Sequence, residues 1–559
     1  MQKKVYFCSV KRIIMRKLFC LIGLCGALVA YSAPITPDEA SRIAARWQGG
    51  KACVGRRAAL GNSTDAETVT QPLYVYNFGN NNGWVLVAGD DRARAMVLGY
   101  SETGSFDYDQ LCDAEKAWID GYVEQINSLN EQDEEAFQDD EPLSRKLVTP
   151  VVAPMLKTSW KQREPYNTLC PTMHDSATLV GCVAVAWAMV CKYMEYPSSA
   201  SFSYDYIWAK NDSIRRSGTV SSTYDYSLMP NQLTTTSDQT KINAVAQFCS
   251  DIGSAVQMNY GTSASSSTPR FAAGNMVAKF GLDQGMVNHY RNYYSDVDWD
   301  AMLMSELDAG RPIVYSGWKA TGGGHTFVCD GYNTNGYFHF NYGNGSLDAT
   351  TYYKSSAVKS DYNKNQEAVT HIMASYSSQL PGVDATFGGD VSFNASKMQF
   401  TIDSKVHFSV MQPCKIYNTI CCENTATGQK YYGKEKDINC KTSNDWSYTS
   451  ASVTYDLPLG TRAQMPSGTY RCYPVYRVTV GDLSGEYQRF YCPSEQYISE
   501  LCMRKNGTQY TVVDCPQKPT DIENIRSERD VCNKILRNGC LILRYNGGEY
   551  NILGAPITR

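Results

Sequence analysis

Cys182 and His325 are the residues whose setting best suits covalent chemistry. Leu179-Val180-Gly181-Cys182 runs into nine apolar residues, Val183 to Cys191, rich in Ala and stopped by Pro197. Such a run reads as a helix buried on every side, with Cys182 at its N-terminus. Unpaired N–H groups and the helix dipole favour a thiolate there, and the thiolate is the nucleophilic form of cysteine. Taken alone, the segment is better read as an inert cysteine opening a core helix. The stretch Gly322-Gly323-Gly324-His325-Thr326-Phe327-Val328-Cys329 changes that balance. Its glycines let backbone approach a substrate closely, and His325 leads into a strand-like run from Thr326 to Cys329.

His325 follows Cys182 by 143 residues, within the roughly 130–150 expected of a papain-like Cys-then-His order. Phe338-His339-Phe340-Asn341 reads as a further strand, and Asn341 is placed to orient the imidazole by accepting its other N–H. Upstream, Gln162 in a polar loop is a candidate side-chain donor to an oxyanion, beside the backbone N–H of Cys182. The remaining histidines (His174, His289, His339, His371 and His407) show no metal-ligand spacing, so no metal is expected.

The stretches Trp160-Lys161-Gln162, Pro165-Tyr166-Asn167, Gly181-Cys182-Val183-Ala184, Met258-Asn259-Tyr260-Gly261, Gly323-Gly324-His325 and Phe340-Asn341-Tyr342-Gly343 together resemble the streptopain family of papain-fold cysteine proteases. Residues 35 to 130, with Gly83-Trp84-Val85-Leu86-Val87-Ala88-Gly89-Asp90 and Val97-Leu98-Gly99-Tyr100-Ser101, resemble that family's inhibitory propeptide. The resemblance implies Cys182 as nucleophile, His325 as general base, Gln162 in the oxyanion hole and Asn341 as orienter. Gly323, Gly324 and Tyr342 are assigned to substrate contact. The sequence departs from the family at Tyr342 and Asn344, where Trp is usual, and at Thr326, where Ala is common.

The elements that must carry these residues divide the chain. Residues 1–32 read as a signal peptide, with basic Lys11, Arg12, Arg16 and Lys17, an apolar run from Leu18 to Val29, and a small-x-small Ala30-Tyr31-Ser32. Residues 33–148 form the expected propeptide. Thr36, Pro37 and Glu39 spell a helix start, and Ala40, Ile43, Ala44 and Trp47 share one helical face. Runs at 73–78 and 84–88 read as a hairpin, followed by a helix near 114–129. The acidic stretch 130–146, ending in Arg145-Lys146, reads as a cleavable linker. Residues 149–379 are the papain-like catalytic domain. Residues 380–515 read as a β-sandwich of short strands. Residues 516–559 resemble the C-terminal sorting tails of exported Bacteroidetes proteins, with three strand-like runs between Lys534 and Leu553. The expected fold class is α+β.

At 559 residues and net charge −4, the chain is too long for a single core and lacks the basic excess that nucleic acid would require. No segment after the signal is long and apolar enough to span a bilayer, so an exported protein, secreted or on the cell surface, is expected. Of 20 cysteines, ten lie between Cys414 and Cys540. Their spacing leaves disulfides and buried free thiols equally open. The expected activity is hydrolysis of peptide bonds in protein or peptide substrates, with the chain's own propeptide as inhibitor and no cofactor beyond a reduced thiol. Acyl transfer to an amine, as in transglutaminase-like enzymes, and a catalytically degenerate surface-binding module are the alternatives.

Overall fold

The computed structural model describes residues 34–48, 57–59, 71–129, 149–318, 324–345, 350–357, 366–374, 377–404, 406–440, 452–493, 496–516, 533–537, 540–545 and 548–550. The signal peptide, the acidic linker and Gly323 lie outside the described residues.

The N-terminal module is built as its sequence pattern dictates. Thr36 caps the helix Pro37–Trp47, and Glu39 reaches back to the Thr36 N–H at 2.8 Å, closing a capping box. Ala40, Ala44 and Trp47 are buried along the helix. The antiparallel strands Leu73–Asn77, Trp84–Ala88 and Val97–Ser101 are apolar on both faces. The helix Pro37–Trp47 covers Tyr74, Tyr76, Val85 and Val87, while Leu73, Val75, Leu86 and Leu98 pack with the second helix, Asp113–Asn127.

This sheet does not end at the module boundary. Gly99 and Tyr100 pair with Tyr353 and Tyr352, which joins it to the central module through the short strand Tyr352–Tyr353. The order then runs through Phe338–Asn341, Gly324–Asn333, Ile313–Trp318 and Gln366–Thr370 to Val287–Tyr290. Pro150–Val152 adds to the far end of the His325 strand. Opposite this sheet lies a helical half, where Cys182–Met194, Gln239–Ala255 and Pro269–Phe280 contribute to a separate core. A cleft between a helical and a sheet half is the papain-like arrangement that the sequence implies.

The junction between the N-terminal module and the module that carries Cys182 and His325 holds buried polar contacts as well as paired backbone. Arg94 donates to Asp300 at 2.6 Å and to Ser355 at 3.2 Å, with both members of the ion pair largely buried. Gln125 accepts the N–H of Ala357 at 2.8 Å. Trp118 drives its ring against Phe340, 4.7 Å away, and meets Phe327 and Tyr315 edge-on.

Residues 383–513 fold into antiparallel strands enclosing one apolar core, which includes Phe387, Phe400, Ile416, Ile420 and Met503. This strand-rich region docks on the catalytic domain. Tyr294 stacks on Tyr491 at 4.4 Å and donates to Asp384 at 2.5 Å, and Tyr491 donates to Asp298 at 2.6 Å. The tail forms three short strands, Asn533–Arg537, Cys540–Tyr545 and Gly548–Tyr550, in one antiparallel sheet.

Breaking the Arg94–Asp300 pair leaves a buried carboxylate without its cation. Arg94→Ala is expected to destabilise the precursor by about 3–5 kcal/mol in denaturant unfolding, and the Arg94→Ala/Asp300→Ala double variant by less.

Candidate active site

Gly181 sets the position of Cys182. It adopts φ 93° as the N-cap of the helix Cys182–Met194, a conformation that suits glycine. A Cβ at Gly181 would lie 2.6 Å from the Met258 sulfur, so both conformation and space demand glycine. No side chain caps this helix, which leaves first-turn N–H groups facing the cleft. The approach to Gly181 is held on both sides. Val180 donates to the Gln162 carbonyl at 3.0 Å, and Leu179 donates to the Gly261 carbonyl at 3.0 Å.

His325 sits at the start of the strand Gly324–Asn333, paired with Gly317 of the neighbouring strand. Its Nε2 lies 3.2 Å from the Tyr342 carbonyl oxygen. With Nε2 so engaged, Nδ1 is the nitrogen left for the sulfur. Burial alone would raise the Cys182 thiol. The opposing charge and hydrogen bond of His325, with the N–H groups of Thr326 and Val183, bring it below its ordinary value. Burial likewise disfavours imidazolium. The Cys182 charge and hydrogen bond, the Tyr342 carbonyl and nearby Asp113 outweigh it and raise His325. The two shifts are the two halves of one ion pair, thiolate with imidazolium.

Cys182, His325, Gln162, Gly324 and Tyr342 line one cavity of about 340 Å³. The Gln162 side-chain amide makes no hydrogen bond to the described residues and stands free within it. Asn341 is close by but does not touch the ring. Its Nδ2 donates to the Thr158 carbonyl at 2.8 Å, and its Oδ1 accepts the Gly343 N–H at 3.2 Å. The expected Asn–imidazole contact is therefore replaced by the Tyr342 backbone carbonyl, and Asn341 fixes the turn that presents it.

Of the residues expected to contact substrate, Gly324 and Tyr342 both line this cavity. Tyr342 is nearly buried, its ring 4.9 Å from Phe327 and its hydroxyl unpaired, so it belongs to the core behind His325. At Gly324 a Cβ would fall 2.3 Å from Trp318 Cδ1. The indole therefore requires glycine there. Sequence reasoning missed Trp318, and it missed the two inhibitor residues in the cavity lining, Cys112 and Asp113. A second cavity of about 240 Å³ is lined by Trp118, Tyr122 and Gln125 of the inhibitor helix with Trp318, Gln366 and His325. The inhibitor helix thus reaches both cavities that His325 lines.

A thiol nucleophile at a helix N-terminus, paired with an imidazole across a cleft between helical and sheet halves, defines the cysteine peptidase class of site. Residues 160–353 match the Peptidase C10 family and residues 32–126 match the Spi protease inhibitor. That segment is similar to the Peptidase C10 family, and the chain spans less than half the length of the first relative it matches. It is 28% identical over 405 residues to thiol protease/hemagglutinin PrtT of Porphyromonas gingivalis, covering 66% of this chain but only 45% of PrtT. It is 29% identical over 295 residues to streptopain of Streptococcus pyogenes, covering 49% of this chain and 72% of streptopain. Among solved structures, a Prevotella intermedia prointerpain A fragment is 26% identical, with a TM-score of 0.46 over 58% of this chain and 100% of the fragment. Active interpain A is 29% identical, with a TM-score of 0.35 over 41% of this chain and 97% of its own.

If His325 supplies the charge that lowers the Cys182 thiol, its removal leaves burial to act alone. In His325→Gln, iodoacetamide labelling of the Cys182 peptide, followed against pH by mass spectrometry, is expected to require a more alkaline pH than in the parent. An unchanged labelling profile would detach the thiol from the imidazole.

Proposed function

We propose that the chain is an exported cysteine endopeptidase, made as a zymogen whose N-terminal module occupies the catalytic cleft. The observation that carries this reading is Cys182 at an uncapped helix N-terminus, lining one cavity with His325 and Gln162, with the thiol lowered and the imidazole raised in keeping with that pairing.

In this reading the Cys182 thiolate attacks a substrate carbonyl carbon, and the carbonyl oxygen becomes an oxyanion. The backbone N–H of Cys182 and the Gln162 amide receive that charge. A donor of this kind contributes roughly 10²–10³ in rate. His325 gives its Nδ1 proton to the leaving amine, and the acyl group remains as a thioester. The imidazole then takes a proton from water, which attacks the thioester and frees Cys182. Tyr342 holds the ring through its carbonyl, while Asn341 acts as a positioning residue for that turn. The ion pair exists above the lowered thiol pKa and below the raised imidazole pKa. Activity is therefore confined between an acid limb set by the thiol and an alkaline limb set by the ring.

Self-inhibition is supported by the placement of Cys112 and Asp113 in the cavity that Cys182 lines, and by the sheet shared across Gly99–Tyr100 and Tyr352–Tyr353. Protein and peptide substrates follow from the family. Export follows from the signal-like residues 1–32, and is compatible with the described residues holding no helix long and apolar enough to cross a membrane.

Purified precursor is expected to process itself, giving a mature N-terminus between Glu131 and Val151 and cleaving casein. Cys182→Ala is expected to do neither, with activity at least about 10⁴-fold lower. Retained cleavage by that variant would reject the assignment.

A further inference from the structure

The cysteine-rich C-terminal region presents two pairs whose partners face each other directly. Cys414 stands opposite Cys440 where the strand Cys414–Asn424 meets Lys436–Cys440. Cys422 stands opposite Cys472 where the same strand meets Gly468–Val480. Directly opposed residues of an antiparallel ladder have Cα atoms about 4.5–5.5 Å apart, inside the roughly 4.4–6.8 Å that a disulfide spans. The sulfurs of Cys422 and Cys472 are already 3.4 Å apart. Those of Cys414 and Cys440 share a hydrogen bond that lowers the Cys440 thiol and, together with burial, raises Cys414.

All four side chains are buried in the same core. Alternation along the strand removes the obvious competitor, because Cys421 points to the other face and packs with Tyr473 and Val475. Cys414 and Cys422 lie on one strand, about 27 Å apart at 3.4 Å per residue, and cannot bridge to each other. The same region already holds one disulfide, Cys502–Cys515.

We propose that Cys414–Cys440 and Cys422–Cys472 are disulfides of the folded protein, stapling the strand Cys414–Asn424 to both of its partners. Each bridge forms by attack of one thiolate on a donor disulfide, such as oxidised glutathione or a thiol oxidase. The second cysteine then displaces the donor from the mixed disulfide. Two S–H bonds are lost and one S–S bond forms. Two protons and two electrons pass to the donor, which leaves as two thiols. The bridges close loops of 26 and 50 residues and so restrict the unfolded chain of this region independently of the catalytic site. The proposal does not depend on the protease reading.

The test uses the full chain carrying Cys182→Ala, produced through an oxidising secretory compartment. It is alkylated with iodoacetamide in denaturant and digested without reduction. Mass spectrometry is expected to find the Cys414 and Cys440 peptides linked, and those of Cys422 and Cys472 linked, each pair 2 Da lighter than its two free-thiol peptides together. Recovery of the four cysteines as alkylated thiols overturns the proposal, whatever the state of Cys502 and Cys515. Linkage in another pairing overturns it equally. In a Cys422→Ala variant, Cys472 should become alkylatable and the melting temperature of this region should fall by on the order of 5–10 °C.

Discussion

The architecture turns on one half-buried electrostatic pair at the wall of a cavity. A cysteine thiol at neutral pH is a poor nucleophile, and burial makes it poorer. A cation at hydrogen-bonding range, helped by backbone N–H groups, reverses that, and in this chain the cation is His325. The ring is itself disfavoured as a cation by burial, so it needs the thiolate in return. Everything around the pair serves to keep both halves in register. Gly181 turns the chain so that Cys182 opens an uncapped helix, and Gly324 leaves room for Trp318 beside the His325 strand. Asn341 holds the turn from which Tyr342 accepts the ring nitrogen.

In the proposed zymogen the N-terminal module is joined to the site by continuity of structure and does not merely plug the cleft. Its strands extend the catalytic sheet, its Trp118 enters the aromatic core behind His325, and its helix start brings Cys112 and Asp113 to the cavity. Asp113 adds negative charge near the imidazolium and so favours the charged ring while the inhibitor is bound. Release must therefore break paired backbone, the buried Arg94–Asp300 ion pair and aromatic packing together. A covalent cut in the chain joining the modules makes such a separation entropically favourable, because the inhibitor is then no longer held at high effective concentration.

Local rules carried the legible part of the sequence. The capping box at Thr36 and Glu39, the apolar run after Cys182 and the Phe338–Asn341 strand were readable because caps, period and length are properties of neighbouring residues. The His325 strand proved longer than its apolar stretch, running from Gly324 to Asn333, since both edges of it are paired. Asn341 misled because the expected acceptor is a side chain, whereas the acceptor found is the backbone carbonyl of the next residue. Every residue has such a carbonyl, so composition gives no sign of which one is used. Gly324 carries a demand the sequence does not show: the neighbour that requires it, Trp318, is brought there by strand pairing. Cysteine spacing likewise could not say which thiols stand opposite one another, because cross-strand register is set by the fold.

The most direct test of the thiolate–imidazolium account is labelling with an irreversible peptidyl electrophile, such as a peptidyl epoxide, on precursor and processed protein. Mass spectrometry locates the adduct. The account predicts modification at Cys182 alone in the processed protein, protection of Cys182 in the precursor, and loss of the adduct in His325→Gln. Equal labelling of precursor and processed forms, or an adduct on another cysteine, would contradict it.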